Sequence, residues 1–217
     1  MMRKTLPVLV SMLLASSTVL ADGVGHRKYA VTITNITSGQ TFTPLLVVTH
    51  KSSISLFETG DPASAELATL AESGDVAPLA AVLDSMPTEV FSTAASGDLL
   101  GPGESVTVEI PGSSRFRRIS VAGMLIPTND TFVALNSARL PIRDQSYTVP
   151  AYDAGSEFND ELCANIPGPT CGGAGDSVED GEGYVHISRG ISGIGDLEPA
   201  NYDWRNPVAR ISIKRIR

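Results

Sequence analysis

The strongest constraint on this chain is a period of two. In "YAVTIT", Tyr29, Val31 and Ile33 alternate with Ala30, Thr32 and Thr34, the pattern of a strand with one buried face. The same alternation returns in "ESVTVEI", with Val106, Val108 and Ile110, and in "VARISIKRI" near the end of the chain, with Val208, Ile211, Ile213 and Ile216. Between these lie "TFTPLLVVTH", "FRRISVAGMLIP", "DTFVALN", "QSYTVPAY" and "GYVHIS", separated by Gly, Pro, Asn and Ser. Many short strands joined by turn residues argue for an antiparallel β-sandwich, and Pro44 marks an edge or a bulge.

One segment breaks the period. "DPASAELATLAESGDVAPLAAVLDSM" is rich in Ala and Leu and repeats at helical spacing through Leu67, Leu70 and Ala71, then Val76, Leu79, Val82 and Leu83. Asp61 before Pro62 predicts the start, and Ser73-Gly74-Asp75 divides the run into two short helices lying against the sheet. The segment has no Lys or Arg, which argues against a membrane-surface helix.

The N-terminus addresses compartment. Arg3 and Lys4, an apolar run from Leu6 to Leu14 and the small-residue end at Ala21 predict a cleaved signal peptide over residues 1–21, with one domain over 22–217. The apolar run is too short to span a bilayer, and the mature protein is expected to be secreted or periplasmic, not transmembrane. The chain carries 16 Lys and Arg against 24 Asp and Glu, a net charge of −8. That balance argues against nucleic acid as a partner. In an exported chain Cys163 and Cys171 are expected to form a disulfide.

Catalytic motifs are weakly represented. "HISRG" has His186 where a nucleophile elbow needs glycine, and His26, His50 and His186 are scattered. No His pair has the spacing of a zinc or copper site. "GISGIG" at 190–195 lacks both the Walker lysine and the dinucleotide-binding spacing, so its glycines are read as a tight turn.

Acidic residues are the unusual feature. From Asp144 to Ser188 there are nine acids and no Lys or Arg, with Asp153, Glu157, Asp160 and Glu161 in close succession. Such a stretch is either a solvated loop or a source of oxygen ligands for calcium. It is not an EF-hand, because a loop starting at Asp176 puts Val178 and Ile187 where ligands are needed. Asp130, in a turn between two strands, could face the 153–157 loop, since loops cluster at the ends of a sandwich.

Three pieces give this pattern a family context: "MLIPTNDTFVALN", "YDAGSE" and "YDWRNPVARISIKRI". In this order they resemble the spondin domain over residues 28–217. The resemblance implies an eight-stranded antiparallel β-sandwich, similar to the calcium-dependent phospholipid-binding domains of synaptotagmin. It also implies Ca2+ held by Asp130, Asp153 and Glu157, with Glu157 where the family usually has Asp. Asp160 and Glu161 match no family ligand and are read as solvated. Ser188 and Ser192 replace histidines frequent in bacterial relatives, so His186 is read as structural. The function implied is an exported, calcium-binding, non-catalytic binding or adhesion module for an extracellular or cell-surface protein, glycan or lipid. The alternative is an exported hydrolase or lipid-acting enzyme, for which His50 or His186 would have to sit beside a Ser or an acid in a cleft.

Overall fold

A computed structural model describes residues 27–175 and 181–216. The expected signal peptide, residues 1–21, and Asp176 lie outside the described residues. Two antiparallel sheets pack face to face. The first has the order β5 (Ser105–Gly112), β1 (Arg27–Asn35), β11 (Ala209–Ile216), β8 (Gln145–Val149). The second runs β10 (His186–Ile187), β9 (Ala151–Asp153), β7 (Thr131–Arg139), β6 (Arg118–Ile126), β3 (Leu46–His50), β4 (Val90–Ala95), with β2 (Thr41–Phe42) also on β6. The expected count of eight strands is therefore exceeded among the described residues. Eight strands have five residues or more, and β2, β9 and β10, of two or three residues, are additional.

Burial explains which periods were readable. In β1 the odd positions Tyr29, Val31 and Ile33 face the inter-sheet core and the even ones are half-exposed. In β6 every residue after Arg118 is buried, because the first sheet covers one face and two helices cover the other. A strand covered on both faces reads as a continuous apolar run. The core is accordingly double. Tyr29, Ile33, Val47, Val121 and Ile211 lie between the sheets, and Leu46, Val48, Phe132 and Ala134 face the helices.

Those helices are α1 (Ala65–Ser73) and α2 (Ala77–Asp84), which bury Leu67, Leu70, Ala71, Leu79 and Leu83. Gly74, at φ +74°, ends α1 in the left-handed conformation and donates its N–H to the Leu70 carbonyl. Two expectations need correction. The cap is Ser64, whose hydroxyl accepts the Leu67 N–H at 3.2 Å, not Asp61. Asp61 is engaged elsewhere: its carbonyl accepts the Val185 N–H, and Gly60 donates to the Val185 carbonyl. Val82 is 41% exposed and faces away from the sheet. A further short helix, α3 (Pro199–Tyr202), was not signalled by periodicity.

Pro150 divides "QSYTVPAY" between the two sheets. Val149 pairs with Ala209 in the first, and Ala151 pairs with Val133 in the second. A residue without an N–H suits a strand that changes partners. This crossing delivers Asp153 to the edge of the second sheet.

The 154–185 connection is anchored by a disulfide between Cys163 and Cys171. Ile166, inside the ring, is fully buried in the inter-sheet core, so the cross-link restrains a loop that is also packed. Replacing both cysteines by Ser should lower stability by about 2–3 kcal/mol on loop-closure grounds, read as a lower denaturant midpoint. An unchanged midpoint would show that packing of Ile166 alone fixes the loop.

Candidate metal centre

Backbone pairing builds the site. Thr131 on β7 lies opposite Asp153 on β9, and Asp153 lies opposite His186 on β10. Asp130, just before Thr131, accepts the Ala154 N–H through its carbonyl. The β6–β7 turn that presents it is held by the Thr128 hydroxyl, which donates to the Leu125 carbonyl and accepts the Thr131 N–H. At Gly155, φ is +65° and a Cβ would meet the Tyr184 carbonyl oxygen at 2.3 Å, so only glycine lets the two loops close together.

Asp130, Asp153 and Glu157 are all buried. Asp130 Oδ2 accepts the N–H groups of Ser156 (2.8 Å) and Glu157 (3.1 Å) and the Ser156 hydroxyl (3.3 Å). Its Oδ1 is also buried and has no hydrogen-bond partner among the described residues. Asp153 accepts the Gly155 N–H on Oδ1 and the Asn159 side-chain amide on Oδ2. Burial, then the neighbouring Asp153 carboxylate, pushes Asp130 up to about 8. Burial also raises Asp153, against the opposing effect of His186.

Two further donors join from the returning loop. His186 Nε2 is 3.4 Å from Asp153 Oδ1 and 3.6 Å from Glu182 Oε2. Burial disfavours the charged imidazole, but the Ile187 carbonyl, Asp153 and Glu182 together outweigh it and raise its pKa. Among the described residues, Asp153, Glu182 and His186 have metal-ligating atoms that all lie within 4.8 Å of one another, whereas Asp130, Asp153 and Glu157 do not form such a group. His186, read from the sequence as structural, therefore stands beside two carboxylates. The β9–β10 pairing that brings it in crosses some 30 residues of loop, and no local sequence signal marks it.

Contrary to expectation, Glu161 is buried, and Asp160, though half-exposed, is engaged by several donors. Asp160 accepts Asn129 and Asn165 side-chain amides and the Leu162 N–H. Glu161 is buried, and its carboxylate accepts the N–H groups of Ser192, Gly193 and Ile194 and the Ser192 hydroxyl. The "GISGIG" turn does cradle an anion, and that anion is Glu161. Both residues tie the acidic loop to its neighbours.

His50 also departs from the scattered-histidine reading. Its Nε2 lies 2.8 Å from Ser120 Oγ, and its Nδ1 is 2.7 Å from the Lys51 carbonyl. Both side chains are fully buried, and Ser120 Oγ also accepts the Ser137 N–H. A hydroxyl with no exposed surface cannot reach a substrate, so this pair does not build a hydrolytic site.

The fold and this end-loop centre define an antiparallel sandwich with acidic loops gathered at one end. The chain belongs to the spondin N-terminal domain family: the Spondin_N family matches residues 27–157. Membership suggests an extracellular module of the binding or adhesion type. The match includes Asp130, Asp153 and Glu157 and ends before Glu182 and His186. Among curated proteins none matches the chain. No helix of the described residues is long and apolar enough to cross a membrane.

Two outcomes follow from the charges. Native metal-free protein retains the Asp130 proton up to about pH 8, whereas the unfolded chain releases it near 3.8. The native state therefore binds more protons across that window, and stability should fall as pH rises from about 4 to 8. The raised Asp153 and His186 act in the same direction. Thermal melts of chelator-treated protein check this, and a flat profile would contradict it. Separately, Glu161→Ala should cost about 2–4 kcal/mol by releasing several charge-assisted hydrogen bonds, measured by denaturant unfolding.

Proposed function

We propose that the chain is an exported binding module, a single domain over residues 22–217 after loss of a signal peptide, whose end loops are locked by Ca2+ and which acts without catalysis. The observation that carries the metal is the buried Asp130 Oδ1, without a hydrogen-bond partner among the described residues and beside the Asp153 carboxylate. Like charges buried together are costly unless a proton or a cation offsets them. Asp130, Asp153 and Glu157 supply the hard oxygen donors that calcium takes. Bound there, the ion would supply the positive charge that joins the β6–β7 turn to the loop after β9. The role of the chain's own residues is to hold those loops as a fixed surface for an extracellular or cell-surface ligand.

A second reading rests on the imidazole. The Asp153, Glu182 and His186 group suits a metal that accepts nitrogen, such as zinc, better than calcium. Titration calorimetry with each ion separates the two. Under the calcium reading, Asp130→Asn and Asp153→Asn weaken calcium binding more than about tenfold, as loss of a charged ligand predicts. Glu157→Asp is mild, Glu157→Gln is worse, and the exposed Asp98→Asn is silent. His186→Ala leaves calcium binding in place. Selective zinc binding that disappears in His186→Ala would favour the second reading. The bound ion should also stabilise the fold by about 2.7 kcal/mol at a hundredfold excess over Kd.

A further inference from the structure

The opposite end of the second sheet carries the reverse charge. Nine residues of β6 at about 3.4 Å each put Arg118 about 27 Å from Ile126 and the acidic turn beyond it. There Lys51, Ser52, Arg115, Arg117, Arg118 and Arg139 line a cavity of about 440 Å³, a size within the roughly 300–1,000 Å³ of ligand sites. This concentrates five cations in a chain whose net charge is −8.

Three features show that the site is built rather than incidental. First, Arg118 on β6 lies directly opposite Arg139 on β7. Like charges facing across a strand pair are destabilising, and an anion between them reverses the sign. Second, among the described residues none of the four arginines forms an ion pair, while Lys51 is paired with Glu89 at 3.3 Å. Third, the backbone beneath is fixed in an uncommon conformation. Ser137, a non-glycine residue at φ +51°, donates its N–H to the buried Ser120 hydroxyl, and its carbonyl accepts from the Arg118 guanidinium. Arg118 is thereby aimed while Arg115, Arg117 and Arg139 stay exposed.

Guanidinium forks match the paired oxygens of sulfate and phosphate groups. The large exposed apolar residues among those described, including Ile142, Phe158 and Ile194, do not line this cavity. It lacks the apolar fringe that would enter a bilayer, so it suits a charged group projecting from a polar chain. We propose that this cleft binds the sulfate or phosphate esters of an anionic glycan, at the end of the sandwich opposite the metal centre.

The test uses the full chain with dextran sulfate, uncharged dextran and phosphatidylglycerol vesicles. Dextran sulfate should bind with an affinity that falls with salt, and uncharged dextran should not bind. The triple variant Arg115→Gln, Arg117→Gln, Arg139→Gln should weaken binding by about tenfold or more, the scale of lost charge-assisted hydrogen bonds. A second triple, Lys28→Gln, Lys214→Gln, Arg215→Gln, makes an equal change in net charge elsewhere on the surface and should have little effect. Replacing the same three arginines by Lys keeps the charge, removes the fork and should give an intermediate loss. Chelator should leave the cleft's affinity unchanged. Equal weakening by the two Gln triples, no binding of dextran sulfate, or binding to the vesicles alone would each overturn the proposal.

Discussion

Asp130 and Asp153 are brought together by main-chain pairing, Thr131 opposite Asp153, and much of this end of the molecule answers to that juxtaposition. A carboxylate at the tip of a free loop relieves repulsion by turning into water. These two flank a strand pair inside the sandwich edge, where neither has exposed surface to turn into. The backbone donors of Gly155, Ser156 and Glu157 offset part of the cost, and the rest requires a proton or a cation. Fold and charge are therefore coupled here: the register that makes the sheet also makes the site.

The surrounding loops gain order from acids of a different kind. Asp160 and Glu161 accept enough amide donors to be satisfied, whereas Asp130 keeps one oxygen without a partner among the described residues. Asp130 and the acids of the 153–161 stretch thus divide by their donors rather than by their sequence spacing. Saturated carboxylates are struts, joining the 129, 161 and 192 segments. Asp130, whose Oδ1 is buried without a hydrogen-bond partner among the described residues, is the candidate for a ligand.

This division sets how much was legible in the sequence. The amphipathic strands and the paired helices could be read because their periods are set by what each face meets. The turn of Ala-rich sequence at Ser64 was misplaced because Asp61 offered an equally good local signal, and its engagement with Val185 is a tertiary contact. The burial of Glu161 and the carboxylate neighbours of His186 escape the sequence for the same reason. Their surroundings depend on partners some 30 residues away, Ser192 for Glu161 and Asp153 for His186, and no local period records such a pairing. Asp130, Asp153 and Glu157 could be named only because family resemblance carries long-range information that spacing does not.

The boundary of the family match sharpens the point. It includes the inner carboxylates and stops at Glu157, while Glu182 and His186 enter from the segment beyond. Asp153 belongs to both sets: its Oδ1 accepts the Gly155 N–H and also faces the imidazole, while its Oδ2 accepts the Asn159 amide. Its charge is shared between two neighbourhoods, one of hard oxygens and one containing nitrogen. A charge in one changes the field felt by the other through the buried Asp153, although the exposed Glu182 is partly screened by water. Under either of the two metal readings proposed above, ion preference would turn on Asp153, the carboxylate common to both donor sets.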